Sequence, residues 1–357
     1  MQPNIDYKKE FEELVETVMK ESASDLHLSV GRYPTVRVAG FLIPLMNRRI
    51  LTKEDMIGYI PAVLTPEDAE LFQRNKEIDF SYSYGDKARF RGNGYFQQGR
   101  ISFAFRLIPK KIRSFEELNL PPVLETFVEK QQGFFLVVGP VGHGKTTTLA
   151  AMIERINETR AEHIITIEDP IEYIYEQKKS MIDQREVRLD TLDFSTALRS
   201  VFREDVDVIL IGEMRGIETM ATAVTAAETG HLVFSTLHTN NASQTINRII
   251  DSFPAAQQDQ IRIQLAATLT GIFSQRLIPS ISGGLVPAYE LLVSTPAVQN
   301  LIRERRVHEI TTVIETGLDQ GMIDMNRSLA ELVRRGQITA ENAYLYSPNP
   351  KVLERLM

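Results

Sequence analysis

Cysteine is absent from the 357-residue sequence, so the protein has no disulfide and no zinc site built on cysteine thiolates. Such a composition is typical of a reducing cytoplasm. The sequence also lacks an excess of positive charge. Its formal net charge of −7 gives no general attraction to nucleic acid or anionic lipid. No apolar run approaches the ~20 residues of a transmembrane helix, and the N-terminus, MQPNIDYKKEFEELV, lacks the features of a secretory signal. We expect a cytoplasmic protein that meets membranes only through a partner.

The length and a change of pattern along the chain predict two α/β domains. An amphipathic N-terminal helix is followed by alternating polar and apolar stretches, with three consecutive strands between residues 78 and 107. Residues 109–122 are rich in proline and charge and form the expected linker. Beyond them, apolar runs alternate with helical stretches, which indicates a mostly parallel sheet covered on both faces. The predicted domains are residues 1–108 and 123–357.

The clearest motif is a phosphate-binding loop that fits G-x-x-x-x-G-K-[ST] without a gap, between an apolar strand and a helical stretch. Backbone N–H groups of the loop and the helix N-terminus attract phosphate oxygens. Lys145 can reach the β- and γ-phosphates, and the Thr146 hydroxyl can ligate Mg²⁺. The alternative is a glycine-rich turn that matches the motif by chance. The apolar strand before the loop and the helical stretch after it argue against this alternative. We therefore predict that ATP and Mg²⁺ bind at Gly139, Pro140, Val141, Gly142, His143, Gly144, Lys145, Thr146 and Thr147.

Two acidic residues follow apolar runs downstream of this loop. Glu168 follows residues 164–167, and Glu213 comes after residues 206–211. Because ligands of parallel sheets bind at the carboxyl ends of the strands, both carboxylates are candidate catalytic groups. Strand ends are often acidic for solubility alone, so the prediction rests on the pair rather than on either acid.

Other candidates stay open on spacing alone. His238 follows a third apolar run, and a lone histidine there is structural as often as it is catalytic. His231, at the start of that run, has the weaker case. Arg91 and Arg106 lie on polar strand faces, where arginines more often form a solvated surface than contact phosphate. The spacing does not decide whether His143, an unusual residue in such a loop, points outward or tunes phosphate binding.

The phosphate-binding loop and three segments that follow it along the chain resemble, in their sequence and in their order, motifs of the type II/type IV secretion ATPases. Residues 168–173 resemble the Asp box of that family, residues 212–215 its atypical Walker B segment, and residues 235–239 its His box. Residues 23–28 and 88–91 resemble its N-terminal signature and arginine strand. The resemblance covers nearly the whole chain. It implies a PAS-like N-terminal mixed α/β domain, a RecA-like P-loop ATPase domain with a mostly parallel sheet, and a ring of six subunits with nucleotide between the two domains.

The resemblance also implies roles for the candidate residues. Glu213 becomes the acid that activates or positions water, and Glu168 its partner in placing Mg²⁺ and water. His238 becomes a sensor of the γ-phosphate, with His231 as a companion near the nucleotide. Arginines from the N-terminal domain read the γ-phosphate; the best candidates are Arg91 and Arg106, followed by Arg89.

Residues 297–304 resemble a C-terminal helix motif of the branch that powers pilus retraction in twitching motility. Pilus-extension and secretion members usually carry a four-cysteine zinc insert, which this chain lacks. The implied protein is a cytoplasmic homo-hexamer, peripheral to the inner membrane, that works with a pilus platform protein and a second retraction ATPase. Alternatives are the accessory retraction ATPase, an assembly or secretion ATPase of the family, a RecA-like nucleic-acid motor, and a non-hydrolysing scaffold. No binding of nucleic acid is expected.

Overall fold

The computed structural model of the protein describes residues 5–38, 40–109 and 111–357, which divide into two units. The first unit runs to Lys111 and includes Glu172–Ile174, and the second comprises Ile112–Ile171 and Tyr175–Met357. Most of the predicted linker, residues 109–122, lies within the second of these units. Lys110 lies outside the described residues, and from Ile112 onward the chain belongs to the second unit, where Phe115 and Leu120 are buried. These apolar anchors are inconspicuous in a segment dominated by proline and charge.

The first unit contains a six-stranded antiparallel sheet with the order β3-β2-β1-β6-β5-β4. Its strands are β1 (Asp25–Ser29), β2 (Thr35–Val38), β3 (Phe41–Pro44), β4 (Glu77–Tyr84), β5 (Ala88–Gln97) and β6 (Arg100–Ile108). Its helices are α1 (Tyr7–Lys20), α2 (Lys53–Val63) and α3 (Pro66–Asn75). Helix α3 begins as expected, with Thr65 as N-cap and Pro66 in the first turn.

The two faces of this sheet differ in chemistry because successive side chains of a strand point to opposite sides. Phe90 of β5 and Phe103 and Phe105 of β6 are buried in one core with Phe11 of α1. Alternate residues, including Arg91 of β5, are only half-buried. The predicted polar face carrying arginines therefore exists.

The second unit contains a seven-stranded sheet with the order β13-β12-β7-β11-β10-β8-β9, in which every neighbouring pair except β12–β13 is parallel. Its strands are β7 (Gly133–Val138), β8 (His163–Glu168), β9 (Met181–Glu186), β10 (Val208–Ile211), β11 (Leu232–Leu237), β12 (Leu269–Pro279) and β13 (Leu285–Val293). Every residue of β7, β10 and β11 is buried. Together the two sheets confirm the predicted α/β architecture.

Helices follow the strands of the second unit and account for most of its C-terminal part. They are α4 (Glu125–Val128), α5 (Lys145–Thr159), α6 (Phe194–Val201), α7 (Ile217–Glu228), α8 (Ala242–Asp251), α9 (Ala255–Thr268), α10 (Pro296–Arg303), α11 (Ile310–Thr316), α12 (Met325–Arg334), α13 (Ala340–Tyr346) and α14 (Pro350–Leu356). Over the described part of the chain, no helix combines the length and the apolarity needed to cross a bilayer.

Helix α10 has the predicted two-sided character. Val298, Leu301 and Ile302 are buried, whereas Asn300 and Arg303 are exposed and hydrogen-bonded to each other. The Thr295 hydroxyl accepts a hydrogen bond from the Val298 amide at 3.3 Å and caps the helix. The apolar face thus fixes the helix on the core and leaves these polar residues at the surface.

Glu290 of β13 is a buried carboxyl group at the start of α8. Its Oε1 accepts a hydrogen bond from the Ala242 amide at 2.8 Å. Burial raises the pKa of Glu290 to about 7, and the bond to Ala242 opposes this rise. Of the charged groups around it, Asp324 and Glu315 raise the pKa further and Arg276 lowers it. The carboxyl group therefore titrates near neutral pH.

Candidate active site

Four parallel strands that lie side by side, β7, β11, β10 and β8, end at the same edge of the second sheet. The phosphate-binding loop follows β7, and His238 follows β11. Glu213 comes two residues after β10, and Glu168 is the last residue of β8. The fold therefore brings to one edge four groups that are far apart in the sequence.

The loop leaves the sheet at Gly139 because no other residue fits there. Gly139 has a φ of 144°, and a Cβ on it would lie 2.3 Å from the carbonyl oxygen of Gln275. The start of the loop is thus in close contact with the backbone of β12. Pro140 is half-buried and Val141 is 80% exposed, so the outer part of the loop points to solvent.

Lys145 begins α5 and is 7% exposed. Its ammonium donates hydrogen bonds to the carbonyl oxygens of Gly139 and Pro140, both at 2.9 Å, and lies 3.3 Å from Nδ1 of His238. The charge is therefore held over the loop and inside the curve of its backbone. Thr146 and Thr147 follow in the first helical turn and are half-buried.

His238 connects this lysine to the acid after β10. A lysine ammonium only donates, so Nδ1 of His238 accepts and the ring carries its proton on Nε2. That nitrogen lies 3.5 Å from Oε2 of Glu213. On its other oxygen, Glu213 pairs with Arg215, and this ion pair raises the pKa of the guanidinium. Lys145, His238, Glu213 and Arg215 thus form one continuous polar chain.

Glu168 is 5% exposed at the end of β8. Its Oε1 accepts hydrogen bonds from the Thr166 hydroxyl at 2.7 Å and from Nε2 of Gln184 at 3.3 Å. These neighbours hold the carboxylate at the edge of the sheet. Groups of three or more histidine and acidic residues that could hold a metal ion by themselves are not found within residues 5–38, 40–109 and 111–357.

A cleft of about 300 Å³ adjoins the phosphate-binding loop. Gly144 and Thr147 of the loop and first turn of α5 form one wall, and Leu120 and Leu277 contribute apolar surface. Arg113 and Glu117 supply charged groups at the same cleft. The cleft is large enough for a flat heterocyclic ring and continues directly from the loop.

Comparison with known proteins identifies the family. The family model described as "Type II/IV secretion system protein" matches residues 110–317. The type IV pilus retraction ATPase PilT of Pseudomonas aeruginosa is 45% identical over 331 residues, 93% of this chain and 96% of that protein. The chain belongs to the type II/IV secretion ATPase family.

Two further relatives of this family support the assignment. A twitching motility protein of Neisseria gonorrhoeae is 46% identical over 312 residues, 87% of this chain and 83% of that protein. The crystal structure of the pilus retraction motor PilT with bound ADP superposes with a TM-score of 0.90 at 44% identity, covering 96% of this chain and 98% of that one. The resemblance found in the sequence is confirmed.

The structure does not bring His231 to the phosphate-binding loop of its own chain. His231 precedes β11, and its carbonyl oxygen accepts a hydrogen bond from the amide of Gly133 at the start of β7. Six strand residues, or about 20 Å, separate this edge from the loop. Its Nδ1 lies 3.0 Å from the Ala226 carbonyl oxygen. Within one chain His231 lies far from the loop, because it is at the amino end of its strand, and its nucleotide contact stays a prediction.

Arg91 and Arg106 are direct neighbours across β5 and β6 of the first unit. Nε of Arg106 donates to Oδ1 of Asp25 at 3.0 Å, yet the Arg106 side chain remains 71% exposed. Arg89 is half-buried on the same strand as Arg91. The two arginines thus lie side by side on the polar face of the first sheet, and Asp25 forms an ion pair with one of them.

Two residues of the candidate site gave no signal in the sequence. Gln275 accepts a hydrogen bond from the Thr148 hydroxyl at 2.6 Å through its Oε1. Gln184 reaches Glu168 from the neighbouring strand β9. Neither of them belongs to the phosphate-loop motif. Their proximity depends on strand register, which short sequence patterns do not encode.

Proposed function

We propose that this chain is the ATP-hydrolysing subunit of a homo-hexameric motor that powers type IV pilus retraction. The observation that carries the proposal is the polar chain from Lys145 through His238 to Glu213 at the carboxyl edge of the sheet. This polar chain connects Lys145, which would bind phosphate, to Glu213, which would activate or position water. The name of the Pseudomonas relative, a pilus retraction ATPase, supports the biological assignment.

In this proposal, the phosphate-binding loop holds the phosphates of ATP with its backbone N–H groups and with Lys145. The ammonium exchanges the loop carbonyls for phosphate oxygens. The adjoining cleft accommodates the base, since Leu120 and Leu277 offer apolar contact to a flat ring. The dipole at the N-terminus of α5 adds further attraction for negative charge.

Mg²⁺ fits the oxygen donors of this edge. The Thr146 hydroxyl and the Glu168 carboxylate are hard ligands of the kind that this ion prefers, with the remaining positions filled by water and phosphate. A Mg²⁺ ion held by these residues would neutralise negative charge on the phosphate oxygens. Glu168 is the group that orients it, because Thr166 and Gln184 hold that carboxylate in place.

Hydrolysis requires mainly positioning and charge stabilisation. Glu213 accepts a proton from the attacking water or orients it. His238 contacts both Lys145 and Glu213, so a γ-phosphate bound at Lys145 can change the position of Glu213 through this histidine. Arg91 and Arg106 of the N-terminal domain supply positive charge to the transferring phosphoryl group. The N-terminal domain of one subunit would close over the ATPase domain of the next, and hydrolysis would then release the domain rotation that a ring motor needs.

The assignment of the loop is tested with Lys145→Ala. Loss of a preorganised charge on a developing oxyanion costs about 10²–10³ in rate. Phosphate release by purified full-length protein should fall by at least this factor. Lys179→Ala, at an exposed position of the same unit, is the matched control and should keep normal turnover. Normal turnover in Lys145→Ala would refute the site.

The arginines are tested separately. Arg91→Ala and Arg106→Ala should each lower phosphate release by roughly 10³-fold, the lower end of the range for an arginine finger. Arg100→Ala, an exposed residue at the other end of β6, should have no effect. Full activity of both Arg91→Ala and Arg106→Ala would show that the two arginines are surface residues with no role in hydrolysis.

The pilus assignment needs a deletion strain. Loss of a retraction motor leaves surplus surface pili without twitching motility, whereas loss of an assembly ATPase leaves no pili. We expect the first phenotype, with the protein cytoplasmic and peripheral to the inner membrane through the pilus platform protein and alongside a second retraction ATPase. Stimulation of phosphate release by DNA would instead favour a nucleic-acid motor.

A further inference from the structure

His143, in the middle of the phosphate-binding loop, makes two contacts with strand β12. Its Nδ1 accepts a hydrogen bond from the backbone amide of Leu277 at 2.9 Å. Its carbonyl oxygen accepts one from Nε2 of Gln275, also at 2.9 Å. Gln275 is 2% exposed and is itself fixed by the Thr148 hydroxyl. The histidine therefore points toward the sheet and not into solvent.

The need for such an acceptor follows from the sheet. Strand β7 pairs with β12 only as far as Val138 opposite Ser274, and at Gly139 the chain turns away into the loop. Beyond Ser274 the β12 amides that face β7 have no strand partner, whereas the opposite edge of β12 stays paired with β13 as far as Pro279. A backbone N–H group that is withdrawn from water needs another acceptor. The imidazole of His143 supplies the missing acceptor for Leu277.

We propose that His143 is a positioning residue, whose neutral imidazole fastens the phosphate-binding loop to β12 and holds it in the shape that receives phosphate. This inference rests on the proposed nucleotide-binding function of the loop. His143 itself touches no reacting atom. Its side chain acts through the backbone of residues 139–145.

The surroundings of His143 favour the neutral ring that the contact requires. An imidazole accepts through Nδ1 only when that nitrogen carries no proton. Burial lowers the pKa of His143, and the positive charges of Arg276 on β12 and Lys145 on α5 lower it further. Arg113 and Glu117 lie along the adjoining cleft, and His238 and Glu213 lie beyond Lys145. Protonation would remove the acceptor and place a third cation beside two others.

The test compares three variants of the full-length protein by their dissociation constants for ADP. His143→Ala leaves the Leu277 amide without its acceptor and should weaken ADP binding by roughly tenfold. His143→Asn places an amide oxygen close to the position of Nδ1 and should bind within about threefold of wild type. His143→Gln puts its oxygen one bond further out and should be as weak as the alanine variant.

A pH series gives a second, independent readout and needs only proteins with an intact acceptor. Below the ordinary histidine pKa of 6.5, wild-type affinity for ADP should fall more steeply than that of His143→Asn, which cannot gain a proton there. His238 is present in both proteins, so only the difference between the two profiles counts. Parallel profiles would overturn the inference even if His143→Ala fails to fold.

Two results separate this inference from the function on which it rests. If wild-type protein binds ADP and the alanine variant binds it equally well, or if glutamine rescues as well as asparagine, the role of His143 is wrong and the ATPase assignment stands. If wild-type protein binds neither ADP nor ATP, the proposed function fails and the inference fails with it.

Discussion

The close approach of the loop to β12 at Gly139 makes Gly139→Ala a sharp test of the site. A methyl group there would lie 2.3 Å from the backbone oxygen of Gln275, which is not free to rotate away. A non-glycine residue at positive φ costs ~1–2 kcal/mol, and overpacking adds ~1–3 kcal/mol. The loop or the sheet must therefore move, at a cost of roughly 2–5 kcal/mol.

Gly142→Ala is the matched control within the same loop. Gly142 has a φ of 79°, but nothing lies within 4 Å of a Cβ added to it. This variant should lose only the ~1–2 kcal/mol of backbone strain. A unit of this size loses ~2–4 °C of melting temperature per kcal/mol, so the two variants should be clearly resolved by thermal denaturation.

Nucleotide binding provides the second readout of this pair. ADP raises the melting temperature of a protein that binds it in the folded state only. The rise should disappear in Gly139→Ala and persist in Gly142→Ala. If Gly139→Ala melts at the wild-type temperature and still responds to ADP, the loop does not approach the backbone of β12 as closely as described.

Three other substitutions address separate features. Glu213→Gln should bind ADP normally but lose about 10²–10⁴ in phosphate release, since an amide cannot accept a proton from water; loss of binding as well would assign Glu213 to folding. Because the pKa of Glu290 rises from its usual 4.5 to about 7, folded wild type loses stability as pH rises between these values. The free energy of unfolding of Glu290→Gln, measured by denaturant titration, should gain on that of wild type over this window by at most about 3 kcal/mol; a pH-independent difference between the two proteins would contradict this. Joint replacement of Asn300 and Arg303 by alanine should spare phosphate release and abolish twitching; a proportional loss of both would make α10 part of the motor core.

The parallel core was predictable because burial on both faces leaves only apolar residues in its strands. Strands β7, β10 and β11 read as continuous apolar runs, and all their residues are buried. Strand β9, at the sheet edge, carries Asp183, Gln184 and Arg185 and has no such pattern. It was missed for this reason.

The candidate site was predictable wherever it depends on strand ends. Lys145, Glu168, Glu213 and His238 each follow or close a recognisable apolar run, so their meeting at one edge follows from the parallel topology. The contribution of Gln275 was not predictable, because it depends on which residue of β12 lies opposite the end of β7. The role of His143 remained open for the same reason.

The bond between His143 and Leu277 joins residues that are 134 positions apart in the chain. A ribosome that adds ~5–20 residues per second needs roughly 7–27 seconds to go from one to the other. During that interval the phosphate-binding loop has been synthesised, but β12, the strand to which His143 bonds, has not. Non-local pairing of this kind is slow to form, so the ability to bind nucleotide should appear late in synthesis, after β12 is available. A nascent chain should therefore gain affinity for nucleotide only after residues as far as Leu277 have been synthesised.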